Sequence, residues 1–585
     1  MYQIFTKISE ITASWTGTKA HNKRPVTSTM ALIESKPMKH RSMLLMLLMA
    51  FASQATGEPS SDASAPIVTI DSGALAGTRF GLNSNEVAFL GIPFATPPIG
   101  NLRWKPPQPV ERWEAVRSAS KFSPACPQRL SSWWAEMAGV DQLETSEDCL
   151  YLNVWTADLS AQQKQPVMVW IHGGGNVEGS SHTPLIEPAL ARKGVIVVSL
   201  DYRLGVLGYL AHPALTAEST HNSSGNYGLL DQIAALQWVQ KNIGAFGGDP
   251  GSVTVFGASS GGEDVCHLLA SPLSKGLIHR AILESGVCMD SLYSALRQQQ
   301  NYYLNHGPGE KLGMRLTAAL GIPNEKNAAD RLRTLPVDKL LKASQDLESG
   351  DFGVIVDGWI VPSQPALTYA EGRQARVPVL IGSNSHETTV FGKSDPLALE
   401  NSRPKTVAEY RKWLTGEFRE FADEVWKQYP ANSDREAQNV FVRMQTDYDF
   451  GFGSYRLARI TTQYGQPAYL YYFSYVGRGS FARLGAFHSE EMMFVGDTYW
   501  KSWKPDENDK KLAALMGDYW TQFAKTGNPN GTGLTEWPRY DEKSEQCLGI
   551  GNEVKTRAIP HKRGYHLFER ILKARLAEIQ GNAVL

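Results

Sequence analysis

The chain has 585 residues and a formal net charge of -1, with 58 Lys and Arg against 59 Asp and Glu. This balance, with no long run of one sign, excludes recognition of nucleic acid or an anionic membrane through a charged field and places recognition in a pocket. Hydrophobic residues make up 42% and charged residues 20%, an ordinary globular composition, so the 15 Trp, 22 Tyr and 21 Phe serve core packing first and an aromatic-lined cavity second.

In chain order, the first feature is a targeting signal. Met38-Lys39-His40-Arg41 is a basic start, Met43 to Ala52 is an apolar stretch too short to span a bilayer, and Ser53-Gln54-Ala55 has small residues at the cleavage spacing. We read residues 38–55 as a secretory signal peptide, with 1–37 an upstream extension or an unusual leader, and an uncleaved tether as the rival reading. A secreted or periplasmic location is the resulting expectation. Residues 56–66 form a small, polar linker, and one domain is expected over 67–575. Five cysteines in an exported chain predict disulfides with one thiol left over. Cys126 and Cys149 bracket a loop whose closure would contribute about 3 kcal/mol. Cys266 with Cys288 is possible, and Cys547 is unassigned.

From residue 67 onward strands and helices alternate. "PVMVWIH" (166–172), "GVIVVSLDY" (194–202), "SVTVF" (252–256), "RAILES" (280–285) and "VPVLIG" (377–382) are apolar, β-branched runs of buried-strand length. "LLDQIAALQWVQKNI" (229–243) repeats apolar residues at helical spacing. Continuous apolar strands separated by helices predict an α/β fold, with a parallel sheet covered on both faces.

The strand "SVTVF" runs straight into Gly257-Ala258-Ser259-Ser260-Gly261. A serine with glycine two residues before and two after, between a strand and a helix, has the form of a nucleophile elbow, in which glycines are needed where chains pass too close for a Cβ. Ser259 satisfies that pattern. Ser260 does not, because Ala258 would occupy its first glycine position and Ser260 itself would already be helical. Upstream, His172-Gly173-Gly174-Gly175 follows a strand, and its glycines let backbone N–H groups approach a developing oxyanion. With such an elbow the chain order is serine, acid, histidine. Glu387, after "VPVLIG", fits the acid, and Asp357, after "GVIVDG", is a rival. The histidines downstream of Glu387 are His488, His561 and His566. His488 follows a glycine-started turn and is preferred, since the other two lie beside a final helix where solvated or capping roles are common.

With these residues in hand, the chain resembles the type-B carboxylesterase and cholinesterase family of α/β-hydrolases. The resemblance spans nearly all of the chain after Ile67, through segments such as "FLGIPFATPPIGNLRWKPP", "SEDCLYLNVW", "DYRLGVLGYLA", "GNYGLLDQIAALQWVQKNIGAFGGDP" and "WTQFAKTGNPN". It implies an α/β-hydrolase fold with a mostly parallel central sheet, helices on both faces and one large domain. It further implies Glu387 as the acid, His488 as the base, Asp357 as a residue of a "VDG" turn, oxyanion donors at the backbone of Gly174, Gly175 and Ser260, and a Cys126–Cys149 disulfide. The chain departs from the family pattern at the elbow, where Ala258 replaces the usual glutamate and Ser260 the usual alanine, followed by Glu263 and Asp264. We read those two acids as complementing the helix dipole. Ser489 stands where the family often has glycine, and Trp133 and Trp134 do not match the cation-binding tryptophan of cholinesterases, so a choline ester is not expected.

The resulting expectation is a serine carboxylesterase acting on a small-molecule ester through an acyl-enzyme, with no metal or organic cofactor. Two other classes remain: a non-catalytic adhesion or binding protein on the same scaffold, and a lipase. The altered serine neighbourhood also leaves room for an esterase of bulky or polycarboxylic esters.

Overall fold

The computed structural model describes residues 65–582, apart from 82–84, 132–134, 136–142, 183–187, 291, 298–307, 348–351 and 391–402. The expected signal peptide, the upstream extension, most of the linker and the Trp133-Trp134 pair lie outside the described residues.

The strands, in chain order, are β1 (Ile67–Ile70), β2 (Gly73–Ala76), β3 (Thr78–Arg79), β4 (Val87–Pro93), β5 (Arg117–Ser118), β6 (Tyr151–Thr156) and β7 (Gln165–Ile171). Then come β8 (Ile196–Leu200), β9 (Gly248–Ala258), β10 (Arg280–Glu284), β11 (Val379–Asn384), β12 (Ala468–Phe473), β13 (Gln546–Ile550) and β14 (Val554–Ala558). β1, β2 and β5 form a small separate sheet. The others form one sheet in the order β14-β13-β12-β11-β10-β9-β7-β8-β6-β4-β3. From β13 to β8 every neighbouring pair is parallel. The edges are antiparallel, where β13 turns back into β14 and where β6, β4 and β3 pair with their neighbours. The sheet is therefore mostly parallel, as expected, while the antiparallel edges and the small sheet are additions that the continuous apolar runs did not signal.

The side chains of β7 show why its sequence is apolar at every position. Val167, Val169 and Ile171 join a core with Leu229, Ile233 and Leu236 of helix α1 (Tyr227–Asn242). Met168 and Trp170 point the other way, into a core with Met516, Trp520 and Phe523 of the helix Glu507–Thr526. Helices thus cover both faces, so alternation disappears, and each buried aliphatic side chain contributes about 1.5–3 kcal/mol. The chain passes from β7 to β8 on one side, then returns to place β9 on the other side of β7. That reversal makes the carboxyl ends of β7 and β9 a topological switch point, the kind of place where open α/β sheets bind their ligands.

Candidate active site

Both strands at this switch point end in the motifs singled out in the sequence. β9 leads into Ser259, and helix α2 (Ser260–Ala270) begins at the next residue. Ser259 has φ 59° and ψ -131°, a left-handed backbone that a side chain rarely adopts. The turn is held by Ser259 N–H donating to the Glu284 carbonyl at 2.8 Å and Glu263 N–H donating to the Ser259 carbonyl at 3.0 Å. Its glycines are sterically required: a Cβ on Gly257 would stand 2.6 Å from the Gly261 oxygen, and one on Gly261 would stand 2.9 Å from the His172 oxygen.

The glycine triplet after β7 runs against this elbow. A Cβ on Gly173 would lie 3.0 Å from the Ser259 Cβ. Gly174, Gly175 and Asn176 all have positive φ, at 106°, 65° and 61°, which turns their amides out of the strand. His172 anchors the base of the loop. Its ring stacks on Tyr202 with centroids 4.4 Å apart, and the Tyr202 hydroxyl donates to the His172 carbonyl at 2.8 Å. Burial pushes this imidazole down to about 4, so it stays neutral and structural. The far end of the loop is tied to the 126–149 segment: Gln128 and Gly179 exchange two hydrogen bonds of 2.7 Å, and the Glu178 carboxylate accepts from Ser131 N at 2.7 Å and Ser131 Oγ at 2.8 Å. Cys126 and Cys149 are joined in a disulfide, as the resemblance implied, and Cys266 and Cys288 form a second.

Glu387 and His488 come from loops beyond the neighbouring parallel strands β11 and β12. His488 Nδ1 lies 2.6 Å from Glu387 Oε2, and both side chains are buried. Glu387 Oε1 accepts from the Asn384 backbone N–H at 2.6 Å, while the Asn384 side chain donates to the Phe487 carbonyl at 2.6 Å and to Glu491. Glu491 accepts from Ser285 Oγ at 3.1 Å, next to the Glu284 carbonyl that holds Ser259. Hydrogen bonds, carried across the Glu284–Ser285 peptide link, therefore connect the elbow with the acid and the histidine. The Phe450 ring packs against His488, centroids 5.0 Å apart.

The pattern of the carboxylesterase family matches residues 64–568. The chain belongs to that family. As a carboxylesterase it is 36% identical over 491 residues to a Fumonisin B1 esterase of Sphingopyxis macrogoltabida, covering 82% of this chain and 86% of the relative. It is 35% identical over 543 residues to liver carboxylesterase 1 of Oryctolagus cuniculus, covering 87% and 93%. Among solved structures it is similar to a PNB esterase, with a TM-score of 0.72 at 32% identity over 86% of this chain and 99% of the other. A Geobacillus stearothermophilus carboxylesterase gives a TM-score of 0.72 at 30% identity over the same shares. This carboxylesterase is thus a carboxylic-ester hydrolase on an α/β-hydrolase fold.

The remaining candidates have other partners. Asp357 Oδ1 accepts from Trp359 N at 3.2 Å and Val361 N at 2.8 Å, and its Oδ2 from Ser223 Oγ at 2.7 Å, so it shapes the "VDG" turn. His561 pairs with Asp447 at 2.8 Å, and His566 lies on the exposed side of the last helix. The reading of Asp264 as a helix-dipole charge is wrong. It is fully buried and accepts hydrogen bonds from Asn176 Nδ2 at 3.1 Å and Gln232 Nε2 at 2.6 Å, which makes it a tertiary contact between three segments. Sequence reasoning missed Asn176, Gln232, Asn384 and Glu491. Only Asn176 carried a signal, as the residue that tolerates positive φ directly after three glycines.

Among the described residues, no helix is long and apolar enough to cross a membrane.

Proposed function

We propose that the chain is an exported serine carboxylesterase that works through an acyl-enzyme. Ser259 Oγ attacks the ester carbonyl while His488 Nε2 takes its proton, and Glu387, bonded to Nδ1, fixes the tautomer and balances the imidazolium charge. The backbone amides of Gly174, Gly175 and Ser260 stabilise the oxyanion. His488 returns the proton to the alkoxide, which leaves as the alcohol, and the acyl group stays on Ser259. Water, deprotonated by the same imidazole, attacks that acyl ester, releases the carboxylic acid and restores the serine hydroxyl.

The observation that carries this reading is the 2.6 Å bond between His488 and Glu387 in the same hydrogen-bonded assembly as a serine at φ 59°. Two disulfides support export to an oxidising compartment.

Purified protein assayed on short p-nitrophenyl esters, with Fumonisin B1 as one bulky member of the panel, tests the reading. Wild type is expected to turn over at least the short esters and to be labelled by an organophosphonate at Ser259. Ser259→Ala should lose nearly all turnover and all labelling while keeping its circular dichroism spectrum. Retained turnover in Ser259→Ala, or labelling at Ser260, would sink the assignment. Absence of all turnover and labelling in wild type would favour a binding protein.

A further inference from the structure

The segment that follows the glycine triplet makes contacts that backbone turns alone do not require. Asn176 is 1% exposed and has φ 61°, and its carbonyl accepts from Gly205 N–H at 2.7 Å. Its own backbone N–H donates to Ser260 Oγ at 3.2 Å, the hydroxyl of the first residue of α2. Its side-chain Nδ2 donates to Asp264 Oδ1 at 3.1 Å, one turn further along the same helix. The other Asp264 oxygen accepts from Gln232 Nε2 at 2.6 Å, on α1. Ser260, Asp264 and Gln232 are all within 1% of complete burial.

Two of these groups lie at or just after the unusual elbow. Ser260 supplies a hydroxyl at a position that can serve the oxyanion with its N–H whatever its side chain is, so the hydroxyl is free to do something else. Asp264 puts a carboxylate in a dry site, which is unfavourable unless strong donors satisfy it. The donors provided come from the glycine loop and from α1. A buried acceptor that reaches across to the loop holding two of the proposed oxyanion amides is a means of fixing where those amides sit relative to Ser259.

We propose that Asn176, Ser260 Oγ and Asp264, braced by Gln232, form a clamp that sets the position of the oxyanion loop against the nucleophile helix, making Asn176 and Asp264 positioning residues for the transition state. The proposal rests on the reading of Gly174, Gly175 and Ser260 as oxyanion donors. Burial raises the Asp264 carboxyl to about 7, against the hydrogen bonds from Gln232 and Asn176 and a contact with Tyr202 that favour its ionised form, while the neighbouring Glu263 raises it further. Even when protonated it can accept from one amide through its carbonyl oxygen, so geometry and not charge defines the clamp.

The test compares Asp264→Ala, Asp264→Asn and Asn176→Gly with wild type. Asn176→Gly keeps both the positive φ and the N–H to Ser260 and removes only the side-chain arm. Steady-state kinetics on a p-nitrophenyl ester are measured well below each variant's Tm, together with the affinity of a trifluoromethyl ketone, which forms an oxyanion on the serine. Asp264→Ala and Asn176→Gly are expected to lower kcat about 10- to 100-fold with KM within about threefold, and to weaken the ketone by a similar factor. Asp264→Asn should recover most of this, since an amide carbonyl can still accept one donor and the Gln232 side chain can flip to meet its NH2. If Asp264→Ala and Asn176→Gly lower Tm but leave kcat and ketone affinity within twofold, the residues are merely structural and the clamp is overturned. Loss of turnover in Ser259→Ala alongside that result would leave the proposed active site intact, whereas full turnover in Ser259→Ala would remove the site itself.

Discussion

Glu387 and His488, 101 residues apart in sequence, meet at 2.6 Å because β11 and β12 are parallel neighbours that deliver their following loops to the same edge of the sheet. The Asn384 side chain bridges the two loops by donating to Phe487 O, and its backbone N–H holds the second Glu387 oxygen. The carboxylate is thus oriented before any substrate arrives. Glu387→Gln keeps the shape but offers an amide where Nδ1–H needs an acceptor. A fall in kcat of about 10,000-fold with unchanged Tm is expected. A loss below tenfold in steady-state assays would mean that another group orients the imidazole.

The backbone of Ser259 carries strain at φ 59°, of order 1–3 kcal/mol for a residue with a side chain. Ser259→Gly relieves it and Ser259→Ala does not. Both variants should be inactive, but only the glycine variant should raise the midpoint of chemical unfolding, by about 1 kcal/mol equivalent. Equal midpoints would show that the elbow is not strained.

Stability should be greatest in mild acid. Burial raises Asp264 to about 7 and pushes Glu284 and Glu490 well above the usual carboxylate range. A carboxyl raised by folding binds a proton that the unfolded chain has already lost, so its contribution is complete below about pH 4 and disappears as pH rises through the folded value. Glu218, held low chiefly by its hydrogen bonds to Arg333, works in the opposite sense and protects only above about pH 4. Buried His172 and His267, pushed down to about 4 and about 3, oppose the acids below about pH 6.5, so Tm measured by scanning calorimetry should peak near pH 6 and fall by pH 8. A flat or rising profile over that range would contradict the burial of these acids.

Of the five cysteines, four are paired, and Cys547 is buried with its thiol pushed up to about 12. The native protein should not react with a thiol-specific chromophore, and denaturation without reductant should release one titratable thiol. Replacing Cys126 and Cys149 together by serine should cost about 3 kcal/mol of stability, from a loop closed at a sequence separation of 23. Two or more thiols in the denatured, unreduced protein would show that a disulfide is missing.

The features written in local sequence were legible without coordinates, because each is a property of a few consecutive residues. The apolar runs of β7, β8 and β9 reflect burial on both faces, and Gly257 and Gly261 announce the close approach of chains at Ser259. His172-Gly173-Gly174-Gly175 is likewise visible as consecutive glycines, two of which take positive φ. Other features could only be decided by the fold, since they depend on which distant segments end at the same edge of the sheet. Asp357 and Glu387 are alike in sequence setting, yet one accepts from Trp359 and Val361 in a turn and the other reaches His488. Asp264 looks like an ordinary acid near a helix start until α1 and the glycine loop close over it and supply its donors. The Cys266–Cys288 bond, the antiparallel sheet edges and the role of Asn384 belong to the same class. Periodicity and backbone chemistry act over a turn or a strand, whereas partner choice for a buried polar group is fixed only when the sheet order brings its donors within about 3 Å.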